Sequence, residues 1–210
     1  MTELATPLGQ GIDEPVARLG VADEETLPPR VKAIYDTFRK NEGKVPNWIQ
    51  AFAVHPTIMA RFLNYYGILF DPKQGRLPMA EREMIAALVA KTNGCTYCTV
   101  HHTGGLANEI HDSQRAQRII INYREVNLTE RERAICDFTE KVTEMPGKIH
   151  DSDFQSLRDA GLDREETLEV LEIAAFFGFA TRYAAPLSIV PDSEMFDYQI
   201  TYGADVKASK

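Results

Sequence analysis

The sequence predicts an all-α protein with one principal domain. Apolar residues recur at intervals of three and four through most of the chain, the spacing that places them on one helix face. No run alternates apolar and polar residues as a half-buried strand does. The 210 residues suffice for a sizeable core in a single domain. We expect that domain at residues 28–190, an extended arm at 1–27 and a tail at 191–210.

Prolines and glycines divide the first part of the domain into three helices. Pro28-Pro29 opens the first helix, because proline is tolerated in a first turn, and Gly43 ends it. A short helix is expected to start at Pro46, and a longer one covers residues 56–70. The apolar positions that keep helical spacing in this longer helix are Ile58, Met59, Phe62, Leu63, Tyr66 and Leu69.

The next two helices are expected to meet at a tight turn. An amphipathic helix follows Pro78, and Asn93-Gly94 marks its end. The apolar side of this helix is predicted to consist of Met84, Ile85, Leu88 and Val89. A second helix begins at a pair of cysteines and covers residues 95–108. The turn therefore places the cysteines at a helix start.

The later helices follow from capping signals as much as from apolar periodicity. A short helix is expected near residues 113–122, and Thr129 begins a sequence that resembles a capping box. Asp151 or Ser152 is expected to cap the next helix, which Gly161 closes.

The longest helix and the tail complete the chain. That helix runs from Arg164 towards Ala185 and is rich in leucine, isoleucine, alanine and phenylalanine. The tail contains aromatic residues without a clear period. The sequence leaves open whether the tail is disordered or packs on a neighbouring subunit.

Composition excludes several classes of protein. The net charge is −8, and no lysine or arginine cluster appears, so a nucleic-acid or anionic-membrane partner is disfavoured. The N-terminus lacks the basic and apolar regions of a secretory signal, and no uninterrupted apolar run approaches bilayer length. Three cysteines are too few for a disulfide scaffold. We therefore expect a cytoplasmic protein.

The candidate reactive residues lie between positions 83 and 102. Cys95, Cys98 and His102 have the spacing i, i+3, i+7 and share one helix face. A helix N-terminus stabilises a thiolate, and a histidine one turn away can accept the thiol proton. Glu83, in the preceding helix, is a candidate partner for that imidazole. This combination predicts thiol redox chemistry, with a disulfide that closes with little backbone movement.

Simpler interpretations compete with this prediction. The cysteines could be two small buried residues, and Glu81, Arg82 and Glu83 could form a solvated first turn. Cys136 lies in an apolar setting and is expected in the core.

A zinc site is the sharper alternative. Cys95 and Cys98 with His101 or His102 would supply three ligands, and His111 is the best remaining fourth. His101 points about 100° away from His102 around the helix, so we expect only one of them on the cysteine face.

The motif resembles a known family. Glu83 is followed by eleven residues and then Cys-x-x-Cys-x-x-x-His, which matches the AhpD-like alkylhydroperoxidase group of the carboxymuconolactone decarboxylase superfamily. The segments LPPRVKAIYD, KVPNWIQAFAVHP, LTERERAICDFTEKVT and GFATRYAAPLSIVPD are similar to the branch called peroxidase-related enzymes. The resemblance covers about residues 25–195.

The resemblance implies an all-helical fold, obligate trimers or hexamers, and thiol peroxidase or disulfide reductase activity without a cofactor or metal. It assigns Cys98 as the peroxidatic thiol, Cys95 as the resolving thiol, and His102 with Glu83 as a proton relay. The substrate would be a hydroperoxide, and an external dithiol or lipoyl-type molecule the reductant. AhpD itself has a histidine where this chain has Tyr97, so one potential base is missing here.

Two questions remain at this level. Helix-end electrostatics favours Cys95 as the reactive thiol, whereas the resemblance and the i+4 position of His102 favour Cys98, which we choose.

Competing functions are a protein disulfide reductase, a carboxymuconolactone-type lyase and a zinc-stabilised binding module. The cysteine pair disfavours the lyase, because those decarboxylases do not depend on it.

Overall fold

The computed structural model describes residues 15–199, the last three by their backbone alone. Within that range the chain forms nine α-helices joined by turns and short 3-10 segments, and no β-strand. The prediction of an all-α protein is therefore confirmed. The helices are α1 (Pro29–Glu42), α2 (Asn47–Phe52), α3 (Pro56–Leu69), α4 (Met79–Thr92), α5 (Thr96–Ile110), α6 (Ser113–Asn122), α7 (Glu130–Glu144), α8 (Asp151–Asp159) and α9 (Arg164–Leu187).

Local signals explain most helix ends. Gly43 ends α1 in the left-handed conformation, with φ 78°, where its missing Cβ removes the steric cost. Thr129 and Glu132 form the predicted capping box at the start of α7.

Several helix boundaries differ from the prediction by one or two residues. The N-cap of α8 is His150, not Asp151 or Ser152, because its extended backbone lets Asp153 accept the His150 N–H at 2.7 Å. α5 begins one residue after Cys95 and continues to Ile110. α9 continues to Leu187, with a proline in its last turn.

The prediction that α4 is amphipathic is wrong. Every residue from Met84 to Ala90 is buried, and the helix packs against α5, α7 and α9. A helix that is apolar on all sides belongs in the centre of a domain, and the alanines between the larger residues allow its neighbours to approach. α4 is thus the central helix of the fold.

The first turn of α4 is engaged with the protein and not solvated. Arg82, 3% exposed, donates to backbone carbonyls of the α3–α4 loop and pairs with Glu169 of α9 at 3.2 Å. Glu81 accepts from Arg131 of α7 at 2.7 Å. This turn therefore joins the α3–α4 loop, α7 and α9.

The chain segments outside the predicted domain pack on it where the structure describes them. Arg18 N–H donates to the Leu187 carbonyl at 2.8 Å, and Val190 N–H donates to the Val16 carbonyl at 3.0 Å. Residues 1–14 of the predicted arm and 200–210 of the predicted tail lie outside the described residues. The described part of the arm thus lies along the end of α9 and the residues just after it.

α9 is long and apolar enough to cross a membrane, which the sequence analysis did not anticipate. Its residues Val170, Ile173, Ala174 and Phe177 are buried in the main core. A central core helix meets the same criteria, so this finding is weak support for a membrane protein. The cytoplasmic location stays a prediction.

We predict that the protein forms a homo-oligomer. Phe179 and Tyr183 of α9 are 45% and 36% exposed, and their rings lie 5.0 Å apart, an aromatic surface of the kind that subunit interfaces cover. Light scattering should give a mass well above the 23.6 kDa of one chain. Phe179→Asp should lower that mass, whereas Ile121→Asp on α6 should not; a wild-type monomer at micromolar concentration contradicts the prediction.

Candidate active site

The cysteine pair lies at the start of α5. Cys95 is the N-cap, and its Sγ accepts the Cys98 N–H at 3.3 Å. The two residues are joined as a disulfide, with Cα atoms 5.4 Å apart, within the usual range for such bonds. Cys95 is fully buried and Cys98 is 7% exposed. Cys95 Sγ therefore accepts one of the amide N–H groups that a helix start leaves without a backbone partner.

A carboxylate and an imidazole meet across the α4–α5 interface. Glu83 Oε2 lies 2.7 Å from Nδ1 of His102, and both side chains are largely buried. The helix that carries Glu83 leads directly into the turn before Cys95, so the two helices lie side by side and the pair forms between them. Because Nδ1 is engaged, Nε2 is the ring atom left for a thiol or a substrate.

Gly105 makes room for this pair. A Cβ at position 105 would overlap the Glu83 carboxylate group, whereas a Cβ at Gly67 of α3 would meet nothing within 4 Å. Glycine inside a helix lowers its stability, so its presence at 105 has a packing reason. The sequence analysis missed Gly105, although a glycine pair within a predicted helix was a signal.

The dithiol opens into a cavity of about 530 Å³, within the size range of small-molecule sites. Cys98 and His102 line it, and Cys95 and Glu83 do not. Its apolar walls come from Phe38, Trp48, Phe52, Phe62, Tyr66 and Phe177. The sequence analysis placed Phe62 and Tyr66 on one helix face but could not predict that these six rings surround one space. The cavity suits a small apolar molecule.

His102 is fixed by aromatic packing. The Phe177 ring crosses its imidazole with centroids 4.5 Å apart, and Phe70 and Tyr66 lie at 5.7 and 6.4 Å. Burial raises the pKa of Tyr66, with the Glu83 carboxylate adding to the effect, so its hydroxyl stays protonated. The imidazole therefore has a single orientation, with its Nδ1 on Glu83.

The cavity includes the second of the two adjacent histidines, although only one of them was expected on the cysteine face of α5. His101 and His102 both line the cavity, and their rings lie 4.9 Å apart at nearly a right angle. The cavity wraps around more of α5 than its cysteine face. Burial, with a smaller contribution from His102, lowers the pKa of His101 to about 3, so this imidazole is neutral at physiological pH.

The other predicted residues lie away from this site. Cys136 is in the core of α7, as predicted, and burial raises the pKa of its thiol. His111, the candidate fourth zinc ligand, ends α5 in the left-handed conformation. The two remaining histidines, His55 and His150, are N-caps. Among the residues that the structure describes, no three histidine, cysteine or acidic side chains group as metal ligands.

Sequence and structure comparisons place the chain among related proteins. The profile of the carboxymuconolactone decarboxylase family matches residues 56–141, which include both cysteines, Glu83 and His102. A comparison with curated proteins gives no match.

Several solved structures are similar. The AhpD core of an uncharacterized peroxidase-related protein from Ralstonia eutropha JMP134 has a TM-score of 0.81 and 29% identity, covering 87% of this chain and 96% of that one. A peroxidase-related protein from Silicibacter sp. TM1040 has a TM-score of 0.79 and 27% identity, covering 90% and 97%. The debrominase Bmp8 shares the fold, with a TM-score of 0.70 at 18% identity, covering 87% and 95%.

We predict that Gly105→Ala raises, by about one unit, the pH at which Cys98 is alkylated. A shift of that size corresponds to the free energy of about one charge-assisted hydrogen bond. The added methyl group displaces the Glu83 carboxylate, so His102 loses its partner. Rates of iodoacetamide labelling of the reduced protein at a series of pH values measure this shift. The free energy of unfolding should also fall, by about 1–3 kcal/mol, because two largely buried groups lose their partner.

Gly67→Ala is the matched control, since it adds the same methyl group to a helix with open space around it. It should leave the labelling profile unchanged, and Glu83→Gln should reproduce the shift of Gly105→Ala. An unshifted profile in Gly105→Ala contradicts the role of the Glu83–His102 contact.

Proposed function

We propose, since the chain belongs to the AhpD/carboxymuconolactone decarboxylase superfamily, that it is a thiol-dependent peroxidase that acts through a reversible Cys95–Cys98 disulfide. One observation carries the proposal. Cys98 faces an apolar cavity beside His102, and Nδ1 of His102 contacts Glu83.

In the first step His102 accepts the Cys98 proton through Nε2. The thiolate attacks the terminal oxygen of the hydroperoxide: the S–O bond forms, the O–O bond breaks, and the alkoxide takes the proton back from His102. Glu83 holds the imidazole in the required tautomer and stabilises its charged form.

In the second step the Cys95 thiol attacks the sulfenic acid on Cys98. The disulfide forms and water leaves. An external dithiol or lipoyl-type molecule then reduces the disulfide by thiol exchange, which restores both thiols. The buried Cys95 suits the resolving role, because an attacking thiol needs access to peroxide and a resolving thiol needs only its neighbour.

The geometry also bears on the alternative of a protein disulfide reductase. A protein disulfide is a poor fit, because the dithiol lies behind aromatic walls and is at most 7% exposed. A small hydroperoxide fits the cavity. We further propose a cytoplasmic homo-oligomer with no nucleic-acid or membrane partner, in line with the net charge of −8.

A second candidate is reductive dehalogenation of a small aromatic compound. The aromatic walls around Cys98 favour it, and the debrominase Bmp8 has the same fold. The dithiol would supply two electrons and one proton to carbon. A carbon–hydrogen bond replaces the carbon–bromine bond, and bromide and the second proton leave as the Cys95–Cys98 disulfide forms.

We predict that Cys98→Ser abolishes consumption of cumene hydroperoxide, whereas Cys95→Ser forms a sulfenic acid that cannot be resolved. Dimedone labelling with peptide mapping locates the sulfenic acid. Cys136→Ser is the control and should behave as the wild type, because Cys136 is buried away from the cavity. A dimedone adduct on Cys95 in Cys98→Ser, with none on Cys98 in Cys95→Ser, reverses the two roles.

If dehalogenation is the reaction, the reduced protein should release one equivalent of bromide from a bromoaromatic compound as its disulfide forms. Ion chromatography measures the bromide, and non-reducing peptide mapping measures the disulfide. Bromide without disulfide indicates substitution by a single thiol and eliminates the candidate. Bromide release by the Cys98→Ser variant also eliminates the candidate.

A further inference from the structure

Asp192 is a buried carboxylate outside the proton relay. It is 4% exposed and lies in the segment after α9. It accepts from the Tyr97 hydroxyl at 2.9 Å, the Lys44 ammonium at 2.8 Å and the Asn47 backbone N–H at 3.2 Å. A buried charge is costly unless it is fully paired, so these contacts hold together segments that are far apart in the sequence.

The segments that Asp192 joins are walls of the cavity. Residues 42–48 contribute Glu42, Lys44, Pro46 and Trp48, and residues 192–195 contribute Asp192, Glu194 and Met195. Two further contacts connect these segments: the Asn47 side chain donates to the Val190 carbonyl at 2.9 Å, and Lys44 pairs with Glu194. None of these residues lies in the part of the chain that matches the family profile.

Tyr97 connects both walls to the dithiol. It stands between Cys95 and Cys98, is 5% exposed, and its ring stacks on His101. Burial, reinforced by the Asp192 carboxylate, raises the pKa of its hydroxyl well above the usual range. Tyr97 is therefore a neutral donor whose proton is committed to Asp192, and it cannot serve as a base for either thiol.

We propose that Tyr97 and Asp192 are positioning residues that clamp the two walls onto the first turn of α5 and so set which hydroperoxides reach Cys98. This inference rests on the proposed peroxidase function and specifies its substrate class. A bulky apolar hydroperoxide needs these two walls, with their side chains Trp48 and Met195, in place for binding. Hydrogen peroxide makes no use of them.

Steady-state kinetics with two peroxides tests the clamp. In Tyr97→Phe and Asp192→Asn, KM for cumene hydroperoxide should rise about tenfold, the effect of one lost charge-assisted hydrogen bond, while kcat stays within about twofold. kcat/KM for hydrogen peroxide should be unchanged.

Tyr123→Phe is the matched control. Tyr123 is also a buried tyrosine whose hydroxyl donates to a carboxylate, that of Asp137 at 2.8 Å, and it does not line the cavity. It should change neither peroxide's KM. A fall in kcat for both peroxides in Tyr97→Phe or Asp192→Asn overturns the proposal in favour of a chemical role. Wild-type kinetics in both variants overturn it outright.

Hydrogen exchange separates the clamp from the proposed function. In Asp192→Asn the amides of peptides covering 44–48 and 190–195 should exchange at least tenfold faster than in the wild type, and those of α7 should not. Wild-type protein that turns over neither peroxide refutes the peroxidase, and unchanged exchange in the variant refutes the clamp.

Discussion

The site depends on the contact between Glu83 and His102. Both groups are largely buried, and either one alone would carry a desolvation cost that the other offsets. The contact requires α4 and α5 to pack closely, and Gly105 allows this approach at the level of the carboxylate. Because the same two helices also flank the turn before Cys95, the packing that brings Glu83 against His102 also places the cysteine pair beside them.

The packing of α4 is in turn set by its first turn. Three consecutive charged residues point about 100° apart around the helix and therefore reach different neighbours. Glu81 binds α7, Arg82 binds the α3–α4 loop and α9, and Glu83 binds α5. The apolar side chains of α4 can be buried at any rotation of the helix about its axis. These polar contacts therefore specify how the helix is rotated in the core.

The candidate site residues and much of the cavity wall come from different parts of the chain. Glu83, Cys95, Cys98 and His102 lie within the region that matches the family profile, residues 56–141. Much of the cavity wall lies outside it, in α1, α2, α9 and the segment after α9. Substitutions in the walls can therefore alter the cavity without touching the cysteine pair or the Glu83–His102 contact.

The sequence by itself determined the helices, most of their ends and the identity of the chemical groups. These features follow from interactions within about one helical turn: apolar periodicity, a left-handed glycine at 43, a capping box at Thr129 and a cysteine pair at a helix start. Only the tertiary structure decided that α4 is buried on all sides, that His101 shares the cavity with His102, and that Asp192 closes on Tyr97 across 95 residues of sequence. Such contacts depend on how helices rotate and pack against one another, and local spacing carries no information about that.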